Sequence, residues 1–510
     1  MAFNIKIDKP DWIFSSYLIG VLIISTASFF VYSPLYHPYF NSDHAVHVLM
    51  THYYKYPEGL FYWGQNRLGS LLPDVARILV KYFNVHPLNA VSIINHLFLL
   101  TSYFILSIPL KNYLYKIILC VFIFFPLYTY NALLLAGHPY SSQLFAGLVS
   151  LFLLSKVYNK LISENVTFKS ILIWIYSLAG GFFLWVSIWI SEFSYVTGVL
   201  ILLFLLFNYK KLIPLKFLFL KEKVLSVLFI LLNAVNLFIW YSKIKQYKNY
   251  FMKDELYDQV FLNDLTQINQ QFVWMKQKVV AGLDFTGING DTTYSYFYWG
   301  LIFIFLISLF FYRSSQFGKP LHLAVTGTVL TGVVMLFFST WNFRSEYEPR
   351  YYTIIIVMIV AGLLYISEGL LKNKIGLITS AFWLMIVGCL LKNNSNVVLP
   401  FKESVVDKYK EFRELPEGGL IGGYWWAYKV NAVSPYNLKS VPIQNDAQRN
   451  QFMIWEVVDM PIVYIIKNDY LDMSKPMPDT LYQFDMRMIK IEPGERQIGD
   501  AVFGVYSKYR

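Results

Sequence analysis

Residues 39–73 read YFNSDHAVHVLMTHYYKYPEGLFYWGQNRLGSLLP. The stretch separates two apolar segments, near 13–33 and 88–109, each about the 20 residues that cross a bilayer. Asp43 stands where the chain has just left the first of them, and neither insertion nor packing calls for a carboxylate there. From Val46 onward, Val46, Leu49, Met50 and Tyr53 recur at helical spacing, while His44, His47 and Thr51 fall on another face. That pattern predicts a helix lying on the membrane surface. Pro57 and Gly59 break it. FYWGQNRLGS follows, with an aromatic cluster, two glycines, Gln65 and Arg67. Pro73 then opens a second helix whose apolar face is Val75, Ala76, Leu79, Tyr82 and Phe83.

Working outward, the apolar segments recur. Of 510 residues, 56% are hydrophobic, which excludes a soluble globular chain. Spans are expected near 13–33, 88–109, 114–135, 141–155, 171–190, 194–208, 224–241, 296–312, 322–339, 352–370 and 375–391. The first is too long for a signal-peptide core and no small-residue cleavage site follows it, so it is read as retained. A net charge of +11 raises the question of nucleic acid, and its distribution answers no. Lys6 and Lys9, Lys111 and Lys116, Lys156 to Lys169, Lys210 to Lys223, Arg313 and Lys319, and Lys372 and Lys374 fall in alternate short loops. This is the positive-inside pattern, and it assigns those loops to the cytoplasm. Loops 34–87 and 242–295 and the tail from about 392 are then external, together with Asp43, His138, Glu192, Arg344 and Arg350. Cys120 and Cys389 lie in apolar spans and read as small hydrophobes, with no disulfide framework.

The segment from Asp43 through Phe61-Tyr62-Trp63-Gly64-Gln65-Asn66-Arg67-Leu68-Gly69-Ser70 resembles the first external loop of bacterial GT-C glycosyltransferases. The group concerned is the one related to protein O-mannosyltransferases and lipid A aminoarabinose transferases, that is, family 39-like enzymes. Its pattern is an acidic residue just after the first span, two surface helices and a motif like F-(Y/W)-G-Q-x-x-(L/M)-G-S. The family carries a second acidic residue after the first; here His44 stands there, which weakens the transfer of a metal-binding or paired-carboxylate role. The expected fold is a polytopic α-helical membrane protein of GT-C type, residues 1–391, with about eleven transmembrane helices. Residues 392–510 are expected to form a small extracytoplasmic α/β domain. Leu420-Ile421 reads there as a strand leading through Gly422-Gly423 into a helix with Trp425 and Trp426, MPIVYII (460–466) as a buried strand and AVFGVY (501–506) as a last one. Gly422-Gly423 lacks the full dinucleotide pattern, so no nucleotide site is assigned.

Other residues are weighed against plainer roles. AGHPYSS, 136–142, is first a turn, and secondly a place for His138 or Tyr140 beside a donor phosphate. Glu192, at the outer edge of apolar spans without a basic neighbour in sequence, is as much a catalytic candidate as a loop residue. The long loop 242–295 suits a lid over a lipid substrate. Arg350, followed by Tyr351 and an apolar run, places a guanidinium at the lipid–water boundary, where its planar donor fork matches a phosphate. Pairing with Glu346 or Glu348 is the plainer alternative. Asp43, His44 and His47 could form part of a divalent metal site, although three ligands without a fourth are a weak signal.

The resemblance implies transfer of a sugar from a polyprenyl-phosphate donor, with inversion, on the external (periplasmic) face of a bacterial inner membrane. Asp43 would be the general base, and Glu192 would orient the acceptor. Arg350 and Tyr351, in a string like the family's late R-Y motif, would hold the donor phosphate, with Arg67 and His138 as further contacts. Gln65 and His44 would position the acceptor or the loop. No cofactor is assigned, and a divalent metal stays open. The partners expected are the lipid donor, an envelope glycan, lipid or protein acceptor, and membrane lipid. A flippase or transporter of lipid-linked glycans is the rival class; it would carry ionisable residues midway along its spans, which here are nearly free of them. A polymerase of such glycans shares the external site.

Overall fold

Apolar runs of bilayer length fold as helices because only a helix pairs all its backbone groups within one segment. The computed structural model describes residues 12–33, 35–36, 40–65, 68–126, 132–162, 170–191, 194–200, 223–248, 266, 269–270, 273, 325–332, 353–370, 374–398, 404–447 and 449–509. Among them the helices are α1 (Trp12–Tyr32), α2 (Ser42–His52), α3 (Leu71–Phe83), α4 (Pro87–Ser107), α5 (Tyr113–Phe124), α6 (Tyr140–Ile162), α7 (Ile171–Ile190), α8 (Lys223–Lys248), α9 (Thr353–Leu370) and α10 (Lys374–Val398). Five of these, α1, α4, α6, α7 and α8, are long and apolar enough to cross a membrane; α5, α9 and α10 hold shorter apolar stretches. Residues 194–200 and 325–332 are helical within two further expected spans, and the span near 296–312 lies outside the described residues. The count of about eleven is therefore an expectation, while a multi-pass helical fold is what the structure shows.

Two helices outrun their expected ends. α8 continues to Lys248, so the first residues of the segment read as an external loop are helical. The rest of the charged and amide-rich stretch lies outside the described residues, apart from a few isolated positions. α10 continues past 391 to Val398, and there Asn394 ties three chain ends together. Its Nδ2 donates to the carbonyls of Phe125 and Pro126, at 3.2 and 3.0 Å, and its Oδ1 accepts from the Tyr32 hydroxyl. At the other end of the bundle Glu368 of α9 accepts from the backbone N–H groups of Lys111 and Asn112, both at 2.6 Å. Tyr115 bonds Ser380 there, at 3.1 Å. The basic turn at Lys111 and the end of α9 thus lie at one end of the bundle.

The chain after 404 forms α11 (Val405–Tyr409), α12 (Tyr424–Val433) and α13 (Ile454–Val458) on a sheet. Its strands are β1 (Gly418–Gly422), β2 (Leu438–Pro442), β3 (Val463–Ile466), β4 (Thr480–Gln483), β5 (Met486–Lys490), β6 (Arg496–Ile498) and β7 (Ala501–Lys508). The order is β2-β1-β3-β7-β5-β4, with β6 on β7. β2, β1 and β3 are parallel, while β7, β5, β4 and β6 pair antiparallel. From β1 the chain crosses through α12 to β2 on one side and returns through α13 to β3 on the other. The carboxyl ends of β1 and β3 therefore meet where the order reverses, the usual ligand-facing point of open α/β sheets.

The expectation that α2 lies on the membrane surface does not hold. All its residues from Ser42 to Thr51 are buried except Asp43, which is half-buried. Its apolar face packs into one continuous core that includes Leu72 and Ala76 of α3, Val91 of α4, and Tyr424, Tyr428 and Leu438 of the sheet domain. Its polar face is covered too, because each polar group finds a backbone partner. The Thr51 hydroxyl donates to the His47 carbonyl at 2.9 Å, and His47 Nδ1 bonds the Ala136 carbonyl. The helix that turns large apolar groups outward is α3, through Ile78, Tyr82 and Phe83.

Candidate active site

Asn41-Ser42-Asp43-His44 starts α2 by local chemistry. Asn41 Oδ1 accepts from the His44 N–H at 3.2 Å, and His44 Nδ1 accepts from the Asn41 N–H at 3.0 Å. This reciprocal cap satisfies two orphan donors of the first turn and places His44 where Glu or Gln usually stands. Asp43 follows in that turn, where a negative charge suits the positive helix end.

Two tyrosine hydroxyls converge on one oxygen of Asp43. Tyr424 donates to Oδ1 at 2.8 Å and Tyr62 at 3.3 Å. The first comes from the sheet domain, the second from the FYWG motif. Among the described residues, Oδ2 accepts no hydrogen bond and Asp43 has no ion-pair partner. Burial pushes the Tyr62 and Tyr424 hydroxyls well above their ordinary range, and the Asp43 charge adds to it; the Arg449 guanidinium pulls both back. Both therefore stay protonated donors. Burial also lowers His47, against the raising effects of the Ala136 carbonyl and of Asp43, so the ring is held towards neutrality.

The motif joins three bodies. Phe61 and Gly69 form an antiparallel bridge, and Leu68 between them takes a left-handed φ of 59°, a costly conformation for Leu. Gly64, at φ 70°, faces the sheet domain: a Cβ there would lie 3.2 Å from the Arg449 Cα. Trp63 packs edge-on to Phe452 of the same domain, 5.5 Å between ring centroids. Gly69 faces α7, donating its N–H to the Trp189 carbonyl at 3.0 Å. At the far end of α2 the Tyr53 hydroxyl donates to the carbonyls of Pro435, at 2.6 Å, and Leu438, at 2.5 Å.

Of the residues expected from sequence, the structure brings Asp43, His44 and the turn bearing His138 together, and places Gln65 in the turn that follows Tyr62. Gly137 abuts the His44 ring, so His138 sits one residue from that contact, half-buried and tilted against Tyr140. Gln65 closes a turn with its N–H on the Tyr62 carbonyl, at 3.0 Å. Its Oε1, like Trp63 Nε1, is buried without a hydrogen-bond partner among the described residues. His44 serves as a helix cap. Arg67, Glu192, Arg350 and Tyr351 lie outside the described residues. His44 Nδ1 accepts from the Asn41 N–H, so its neutral ring carries the proton on Nε2 and offers no lone pair to a metal, whereas His47 turns Nδ1 to the Ala136 carbonyl, which leaves Nε2 as its ligating atom. Among the described residues no three His, Cys, Asp or Glu side chains converge to hold a metal ion.

Three residues were missed from sequence. Tyr424 and Arg449 are about 400 positions from Asp43, as residue numbers give it. The available signal was Gly422-Gly423 at the carboxyl end of a buried strand, since that end of an open α/β sheet presents functional groups. Asp74 stands in the first turn of α3, and nothing in the local sequence sets it apart from other helix-start carboxylates. Burial pushes it up to about 7, with the Ser70 hydrogen bond and Arg77 acting in the other direction.

The chain is similar to the crystal structure of ArnT from Cupriavidus metallidurans bound to undecaprenyl phosphate. The identity is 11%, the match covers 96% of this chain and 98% of that one, and the TM-score is 0.50. A second similar structure is the archaeal oligosaccharyltransferase AglB from Archaeoglobus fulgidus, in complex with an inhibitory peptide and a dolichol-phosphate. There the identity is 13%, the coverage 89% of this chain and 69% of that one, and the TM-score 0.47. No family model and no curated protein sequence matches the chain. At such identity the likeness is one of fold, and the fold of the ArnT structure extends along nearly the whole chain.

Proposed function

We propose that the chain transfers a sugar from a polyprenyl-phosphate donor to an acceptor on the external side of the membrane, with Asp43 as general base. One observation carries this reading. Asp43 is a half-buried carboxylate with one oxygen pinned by two tyrosine hydroxyls and the other open among the described residues. A base needs that arrangement: an anchored side chain and a free lone pair within reach of the acceptor. The fold it shares with the undecaprenyl-phosphate-bound ArnT supports a lipid-carried donor.

In the reaction, Oδ2 takes the proton of an acceptor hydroxyl or amine. The acceptor atom bonds the anomeric carbon from the side opposite the phosphate. The bond from that carbon to the phosphate oxygen breaks, and polyprenyl phosphate leaves with the electron pair, giving inversion. Cations stabilise the charge that develops on the phosphate. Arg350 supplies that charge and Tyr351 a hydroxyl donor to the phosphate, with Arg67 and His138 as further contacts, and Glu192 orients the acceptor.

The deciding assay supplies purified protein in detergent with a polyprenyl-phosphate monosaccharide or a pyrophosphate-linked oligosaccharide, plus an envelope extract as acceptor. Release of polyprenyl phosphate from the first donor is expected. Turnover of the second alone identifies a polymerase instead, and translocation without turnover by the protein reconstituted into vesicles identifies a carrier.

Sidedness has its own test. Single cysteines near Asn66 and Glu492, and one after Lys372, are probed in intact cells with an impermeant thiol reagent. Labelling near Asn66 and Glu492 only is expected from the basic bias of the alternate loops. Labelling after Lys372 with none at the other two reverses the topology.

A further inference from the structure

We propose that Tyr424 is a positioning residue of the reaction: its hydroxyl fixes the Asp43 carboxylate so that Oδ2 meets the acceptor proton, and the sheet domain thereby completes the active site. The inference rests on Asp43 being the base.

Both sides of the contact are clamped. The Tyr424 N–H donates to Asp446 Oδ2 at 2.6 Å, and its carbonyl accepts from the Ser42 hydroxyl at 2.7 Å. Ser42 adjoins Asp43, so one residue of α12 grips two neighbouring residues of α2. The Tyr424 ring is buried and stands edge-on to Tyr428, 5.5 Å between centroids. Tyr428 is held in turn, its hydroxyl donating to Asn450 Oδ1 at 2.6 Å and accepting from the Arg449 N–H at 2.9 Å. Asp446, Arg449 and Asn450 all lie in the segment after β2, and Tyr424 follows the Gly422-Gly423 end of β1. The ligand-facing end of the parallel strands is thus applied to α2. Asp43 spends one oxygen on this contact, which fixes the torsion of its carboxylate and leaves the second oxygen as the base. A folded domain that served only as ballast would not need a hydroxyl there.

The test is Tyr424→Phe, which keeps the ring and removes the donor. With the detergent-purified full chain and the lipid donor, kcat is expected to fall about 10- to 100-fold, the worth of one hydrogen bond to a charged group, with KM for the donor unchanged. Tyr62→Phe, which removes the longer bond, is expected to cost less. In an Asp43→Asn background, Tyr424→Phe is expected to cost less than about twofold more, because residues acting through one group are not additive. The unfolding midpoint of Tyr424→Phe is expected to stay within a few degrees of the wild type, roughly what one surface-scale change moves. An unchanged kcat in Tyr424→Phe overturns the proposal. So does a full further loss in the Asp43→Asn background, which would mean that Tyr424 acts elsewhere. A near wild-type rate for Asp43→Asn alone overturns the assignment of the base itself.

Discussion

Asp43→Asn is expected to insert, purify and bind the lipid donor normally, and to transfer sugar ~10²–10⁴-fold more slowly, the usual worth of a general base. The substitution keeps the shape of the side chain. Its amide oxygen can still accept from Tyr424 and Tyr62, so the dock between α2 and the sheet domain survives. What it loses is the capacity to take a proton on the open atom. Stability is expected to change little, because Asp43 has no ion-pair partner among the described residues to leave uncompensated. Initial rates with radiolabelled donor, together with donor binding measured separately, separate the two effects. A wild-type rate with intact expression would sink the assignment and leave Glu192 as the base or the chain as a carrier.

Much of this could be read along the chain, and the reason is local. Helix ends at Tyr32, Ser107 and Ile190 follow from the bilayer's thickness, and the start of α2 follows from the Asn41 cap. Asp43 stood out because neither membrane insertion nor packing calls for a carboxylate just after an apolar span. The strands at 418–422, 463–466 and 501–508 matched runs of apolar residues bounded by turns. The burial of α2 was not legible. Periodicity reports which residues differ from their neighbours, and the polar face of α2 is covered by Ala136, Gly137 and Pro73, which carry no periodic signal. The role of the motif glycines was hidden for a related reason. FYWGQNRLGS was readable as a motif, but that Gly64 faces Arg449 and Gly69 faces Trp189 depends on segments more than 100 residues away, an order of separation on which local propensity is silent. The same holds for Tyr424, whose local sequence asks only for a helix start.

That second glycine gives the other large effect. Gly69→Ala is expected to destabilise the folded chain on the order of 2–4 kcal/mol, combining overpacking with a weakened backbone hydrogen bond. A Cβ on Gly69 would lie 2.5 and 2.6 Å from ring carbons of Trp189 and 2.8 Å from its carbonyl oxygen. The ring can turn but the carbonyl cannot, because it belongs to the last turn of α7 and already accepts the Gly69 N–H at 3.0 Å. The loop must therefore move away from α7. Leu68 already holds a left-handed backbone beside it, and the Tyr62 N–H bonds the Leu68 carbonyl at 2.9 Å, so the shift passes to Tyr62 and hence to Asp43. Gly388→Ala in α10 is the control, since a Cβ there meets open space. In a helix interior that change is expected to be neutral or to stabilise by roughly 0.5–1 kcal/mol. Unfolding midpoints in detergent, read beside transfer rates, check both. Gly69→Ala with a wild-type midpoint and wild-type transfer would mean that the motif does not bear on α7, and that Tyr62 reaches Asp43 without its support.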